Sequence, residues 1–168
     1  MENILKSIED SLLNKNWYSA LVLSLILPDV CSKLEGNNKK SSERYPEWFN
    51  TYFNKKYNGF LFGKDCYALR CSFFHEGSSN IENQHAKDVL DRFVFVANGP
   101  HCNRFSNCHF GNPKYDGKNC LQLSVNNFCQ DMVEATNQWL SDSTVNKSLS
   151  EMLEIHENGF SVGGLKIQ

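Results

Sequence analysis

Long apolar runs are scarce in this chain of 168 residues. The longest, Ala20 to Leu27, falls far short of the roughly 20 residues a helix needs to cross a bilayer, so no membrane span is expected. The first residues, MENILKSIEDSLL, lack the basic start, apolar run and small-residue cleavage site of a secretory leader, and a cytoplasmic protein is expected. Four motifs are also missing: the glycine-rich phosphate loop, the zinc-protease helix, the nucleophile elbow and the dinucleotide fingerprint. There is no internal repeat and no low-complexity tract. Charge of one sign is lacking too, because a net charge of −2 makes the whole chain no magnet for polyanions.

Cysteine is plentiful, but its count of seven is odd. In a cytosolic setting that suits reduced, buried thiols, and Cys66, Cys120 and Cys129 sit in apolar patterns that read as core. Aromatics abound, with 12 Phe, 6 Tyr and 3 Trp, which argues against disorder. The length suits one domain over residues 1–168 with a sizeable core. Charge is unevenly spread. Residues 39–70 carry seven basic and three acidic side chains, while residues 71–168 carry seven basic and eleven acidic ones. The positive segment, with Lys55, Lys56 and Lys64, is where a polyanion such as RNA would be steered.

Helical periodicity dominates the first half. Ile4, Leu5, Ile8 and Leu12 recur at helical spacing in residues 2–14. Residues 17–35 are apolar nearly all round, so this helix is expected in the middle of a bundle, with Pro28 kinking or interrupting it. Asp29 just beyond reads as a cap for the second part, or as a hydrogen-bond partner for Arg70 or His75. A third helix is expected from Glu43, capped by Ser42, with a core stripe of Tyr45, Trp48, Phe49, Tyr52 and Phe53. A fourth runs from Gly63 to a stop at Gly77.

After Gly77 the texture changes. A short helix is expected around Ala86 to Leu90. Phe93 to Val96 and Cys120 to Val125 read as two strands of an antiparallel ribbon, a β insertion at about 93–125. Asn126 is expected to cap a last bundle helix ending at Trp139 and Leu140, followed by a short helix within 143–157. The tail VGGLKI is either an edge strand or loose. The fold class is therefore mainly α, an up-and-down bundle with a small two-stranded β insertion.

The stretch GKDCYALRCSFFHEGSS, Gly63 to Ser79, carries the chemistry. Arg70 and His75 are five positions apart, about 140° around a helix axis and little more than a turn along it. A guanidinium forks two donors onto phosphate oxygens, and an imidazole moves a proton near neutral pH. Cys71, Ser72 and Glu76 are polar neighbours of the pair. This spacing, Arg70 then Cys71-Ser72-Phe73-Phe74 then His75, resembles the Arg-x4-6-His signature of the HEPN superfamily. The resemblance covers about the first half of the chain. It implies a HEPN-like helical bundle that dimerises and builds a composite site from two Arg70/His75 helices. It implies a metal-independent endoribonuclease, without cofactor, of a toxin–antitoxin or phage-defence system, leaving a 2′,3′-cyclic phosphate. An antitoxin or nucleotidyltransferase partner goes with such systems. Active members often have Asn or Asp directly after the Arg; here Cys71 offers a weaker donor.

Two other readings stay open. One is a non-catalytic HEPN-like module that binds a protein or a nucleotide. The other is a zinc-stabilised interaction domain, since HCNRFSNCH brings His101, Cys102, Cys108 and His109 into one loop. Adjacent ligands have awkward bite angles, and the short spacing usual between paired cysteines is missing.

Overall fold

The computed structural model describes residues 1–167 apart from 58, 108–110, 143, 154, 156–159 and 163–164. Among the described residues, five α-helices form the bulk of the molecule, and a three-stranded sheet lies beside them. Helix α1 (Glu2–Leu13) buries Leu5 and Ile8. Helix α2 (Trp17–Leu34) packs against α1, α3 (Ser41–Tyr52) and α5 (Val125–Ser141), as its all-round apolar surface requires.

Helix α2 is not broken at Pro28. Its ring removes one backbone donor, a local loss of about 3 kcal/mol in a helix interior. Burial on three sides outweighs that loss: Leu25, Leu27 and Cys31 on either side of the ring are fully buried. Ser32 Oγ turns back and donates to the Pro28 carbonyl at 2.6 Å. Because the helix runs on, it is long and apolar enough to cross a membrane by length and composition alone; 56% of it is buried inside the bundle.

Helix α3 starts at Ser41, two residues earlier than its sequence suggests, without a side-chain cap. Its rings form a buried ladder that continues into the 3₁₀ turn Asn54–Tyr57. Phe49 meets Phe53 at 4.5 Å, Phe53 meets Tyr57 at 4.7 Å, and Phe53 meets Phe128 of α5 edge-on at 5.4 Å. These rings are core, since Phe49, Phe53 and Tyr57 are at most 1% exposed.

Helix α4 (Gly63–Glu76) ends on Gly77 at φ 62°, ψ 22°, the left-handed cap expected for this glycine. Gly77 N–H reaches the Phe73 carbonyl and Ser78 N–H the Ser72 carbonyl. Its start is fixed by close approach to α3. A Cβ on Gly63 would lie 2.6 Å from Pro46 Cα and 2.7 Å from Pro46 O. The Gly63 amide donates to Asn50 Oδ1 at 2.9 Å. Gly63→Ala is expected to destabilise the fold by about 1–3 kcal/mol, because two backbones must part. A urea melt with a lower midpoint and an unchanged slope is the check.

The sheet corrects the expected ribbon. Strand β1 (Arg92–Val96) runs parallel to β3 (Cys120–Ser124), and a third strand, β2 (Asn103–Phe105), pairs antiparallel with β3. The order is β1-β3-β2. A hairpin turn forces antiparallel pairing, whereas the long connection between Val96 and Cys120 gives the chain room to cross back and enter in the same direction. Ser124, not Asn126, caps α5, accepting from the Asn127 amide at 3.4 Å.

One further expectation fails and another is met in part. Residues 86–90 form turns, held by a carboxylate described below, rather than a helix. Between 144 and 153 the one helical piece among the described residues is the 3₁₀ turn Leu149–Glu151. The tail forms a hairpin of β4 (Phe160–Val162) and β5 (Leu165–Ile167).

Candidate active site on the fourth helix

Helix α4 lies against α3 and, more lightly, α2. That contact turns Arg70 toward Asp29 on α2. Arg70 Nη2 stands 3.1 Å from Asp29 Oδ2. The same carboxylate takes a hydrogen bond from Arg44 Nη2 of α3 at 3.2 Å on Oδ1, and one from Ser41 Oγ. The side chains of Asp29, Arg44 and Arg70 are 12%, 19% and 26% exposed, so the cluster is shielded without being closed.

The two arginines are held differently. Arg44 makes an aligned hydrogen bond and also donates to the Lys39 carbonyl at 3.2 Å. With Asp29, Arg70 makes an ion contact only, and Asp29 Oδ2 accepts no aligned hydrogen bond among the described residues. The Nε atoms of both arginines are buried without a partner. Two guanidinium groups on one carboxylate leave one positive charge uncompensated. The first turn of α3, which begins at Ser41, adds its positive dipole end. An anion is favoured there, and Arg70 is the arm with the looser hold.

His75 lies in the last turn of α4 and is exposed. Among the described residues it makes no hydrogen bond or ion pair, with Arg70 or anything else. Phe74, 42% exposed, fills the surface between them, and the Arg70 guanidinium sits 5.4 Å over its ring. Within the chain the guanidinium faces α2 and the imidazole faces solvent.

The supporting residues have other work. Ser72 is buried and donates to the Asn80 carbonyl at 2.7 Å. Glu76 accepts from Gln84 Nε2 at 3.1 Å and from Ser72 Oγ at 3.4 Å, so it braces the loop after α4 and does not orient His75. Cys71 is half-buried and hydrogen-bonds the Tyr67 hydroxyl; burial first, then this bond, push Tyr67 above its ordinary value.

Of the three lysines, Lys56 is spoken for, bridging Asp131 at 2.7 Å and also Glu134. Lys55 and Lys64 are exposed. His101 uses Nδ1 to accept the Ser124 amide at 3.2 Å and packs edge-on against Tyr57 at 5.3 Å. Burial lowers its affinity for a proton, opposed by Asp131. Cys102 is half-buried, and Cys108 and His109 lie outside the described residues. Among the described residues no three His, Cys, Asp or Glu side chains converge as metal ligands.

Two partners escaped the sequence reading. Ser41 and Arg44 reach Asp29 only because α2 and α3 pack side by side, and no local spacing signals that. Asp29 itself carried a signal, a carboxylate inside an apolar helix. No family model, curated protein or solved structure matches this chain.

Proposed function

We propose that this protein is a HEPN-like, metal-independent endoribonuclease that acts as a homodimer. The observation that carries the reading is Arg70 itself, a partly exposed guanidinium held by an unaligned ion contact. A phosphodiester offers it a better-aligned anion, because phosphate oxygens match the planar fork of Arg. Arg44 and Ser41 keep Asp29 anchored when Arg70 leaves.

His75, on one protomer or its partner, takes the proton of a ribose 2′-hydroxyl. The freed 2′-oxygen attacks phosphorus while Arg70 holds the charge growing on the phosphoryl oxygens. The 5′-oxygen leaves as a hydroxyl once a second acid, supplied by solvent water, gives it a proton. The product is a 2′,3′-cyclic phosphate. A toxin–antitoxin or phage-defence setting in the cytoplasm, with a restraining partner protein, suits such an activity.

The missing Arg70–His75 contact within one chain favours a second reading, a non-catalytic module of the same fold that binds a protein or nucleotide. One assay separates the two. Purified protein in excess EDTA is expected to cut single-stranded RNA and leave 2′,3′-cyclic phosphate and 5′-hydroxyl ends. Intact RNA at high enzyme concentration, with and without divalent metal, would leave the binding module standing.

A further inference from the structure

A groove of about 440 Å³ runs between the start of α2, the end of α4 and strand β1. Trp17, Tyr18, Phe73, Phe93, Phe95 and Tyr115 supply its aromatic walls. Lys114 is the one charged side chain among the described residues lining it. The size falls in the range of small-ligand sites, about 300–1,000 Å³. Tyr18 is 76% exposed, and its ring lies nearly parallel to that of Phe73, at 6.4 Å and 19°.

Strand β1, which lines the groove, also carries backbone polar groups. Successive residues of a strand point their N–H and C=O groups to opposite sides. The Arg92 amide bonds Asn119 on the β3 side, so the Phe93 amide turns outward, where it meets the Ser79 carbonyl. By the same alternation the amide and carbonyl of Phe95 face the outer edge of β1. The bridge between Asn80 and Arg92 closes that edge upstream, and downstream β1 ends at Val96, where the Ala97 carbonyl turns back to the Asn126 amide on the β3 side. The open stretch is too short for an added peptide strand. One donor and one acceptor side by side suit the edge of a nucleobase.

Rings link the groove to the candidate site. Tyr18 stacks on Phe73, Phe73 meets Phe74 edge-on at 6.2 Å, and Phe74 lies under the Arg70 guanidinium. The geometry points to a nucleobase subsite: one base of single-stranded RNA stacks against Tyr18, its edge meets Phe95, and Lys114 takes a flanking phosphate. This rests on the nuclease reading for its substrate, a strand whose scissile phosphate lies at Arg70. The charge fits, since no acidic side chain among the described residues lines the groove beside Lys114 and a phosphate is anionic.

Trp17 reports on this groove, because Trp48 and Trp139 are buried at 3% and 0% exposure. The experiment titrates full-length protein with a 2′-O-methyl RNA tetranucleotide, which cannot be cleaved, and separately with AMP and UMP. Saturable quenching by the oligonucleotide is expected, lost in Trp17→Phe. Tyr18→Ala and Lys114→Ala are each expected to weaken binding about fivefold or more, with circular dichroism unchanged. In the cleavage assay Tyr18→Ala is expected to raise KM more than it lowers kcat. Binding without cleavage by the wild type would sink the nuclease reading and keep the subsite. Cleavage by the wild type, with no quenching or with full affinity in Tyr18→Ala, would overturn the subsite and keep the nuclease. Saturation by mononucleotide without binding of the oligonucleotide, or quenching by an apolar peptide alone, would overturn it as well.

Discussion

Equal mixtures of Arg70→Ala and His75→Ala chains are expected to recover about a quarter of wild-type RNA cleavage, although each variant alone loses about a hundredfold or more. The reasoning is geometric. Arg70 turns inward to Asp29 on α2, while His75 stands at the exposed end of α4 with no contact to it. About 140° of helix separates them, and Phe74 occupies the surface between. Two groups so placed meet most readily across a two-fold axis, where one chain's imidazole approaches the other's guanidinium. When subunits exchange freely, about half the dimers are mixed, and each mixed dimer keeps one of two Arg/His pairs. Arg70 is partly exposed and His75 exposed, and neither substitution empties a core position, so the helical circular-dichroism signal should hold. Mixed dimers that form and stay inactive would place both groups of a working pair on one chain. A substitution that leaves cleavage intact would remove its residue from the chemistry.

The helices were legible because their signals are local. Periodic apolar positions, the all-round apolar α2 and the glycine at 77 each act within a turn or two, and α4 ends where its sequence says it must. The sheet was less legible because direction is not written in a strand. Phe93-Val94-Phe95-Val96 reads the same in parallel and antiparallel pairing, and β2 spans three residues in a loop-rich tract. Pro28 misled because propensity counts one lost bond, whereas the fold also counts burial on three sides. At the candidate site, Arg70, His75 and Asp29 could be named from composition and spacing. The sharing of Asp29 between Arg44 and Arg70 is a tertiary fact, made by helices that meet only in the folded chain.

The buried carboxylate of Asp65 makes the same point with a larger expected effect on stability. It sits in the first turn of α4, where an acidic side chain ordinarily serves the helix dipole from the surface. Instead its side chain is fully buried and accepts from the amides of Asp88 at 2.7 Å, Val89 at 3.1 Å and Leu90 at 3.3 Å. Three backbone donors on one carboxylate fix the turns that bring the chain into β1, which is why residues 86–90 do not coil into a helix. Asp65→Ala strands all three donors. Each buried donor left bare costs about 1–3 kcal/mol, and relaxation of the loop toward water lowers the sum, so a loss of about 2–4 kcal/mol is expected. Asp65→Asn should cost less, because its oxygen still accepts while its amide group faces the Val89 N–H that Oδ2 now meets at 3.3 Å. The pH dependence has a definite sign. Burial raises the Asp65 carboxyl above its ordinary value, with the three amides opposing. The folded chain therefore holds the proton more tightly than the unfolded one. Its contribution is fully present below the ordinary aspartate value of about 3.9 and is lost as pH rises through the raised folded value. The stability gap between wild type and Asp65→Asn should thus be widest in acid and narrow as pH climbs through that window. Urea melts at a series of pH values measure it, and a gap that stays constant or widens would show that the amides, not burial, govern this carboxylate.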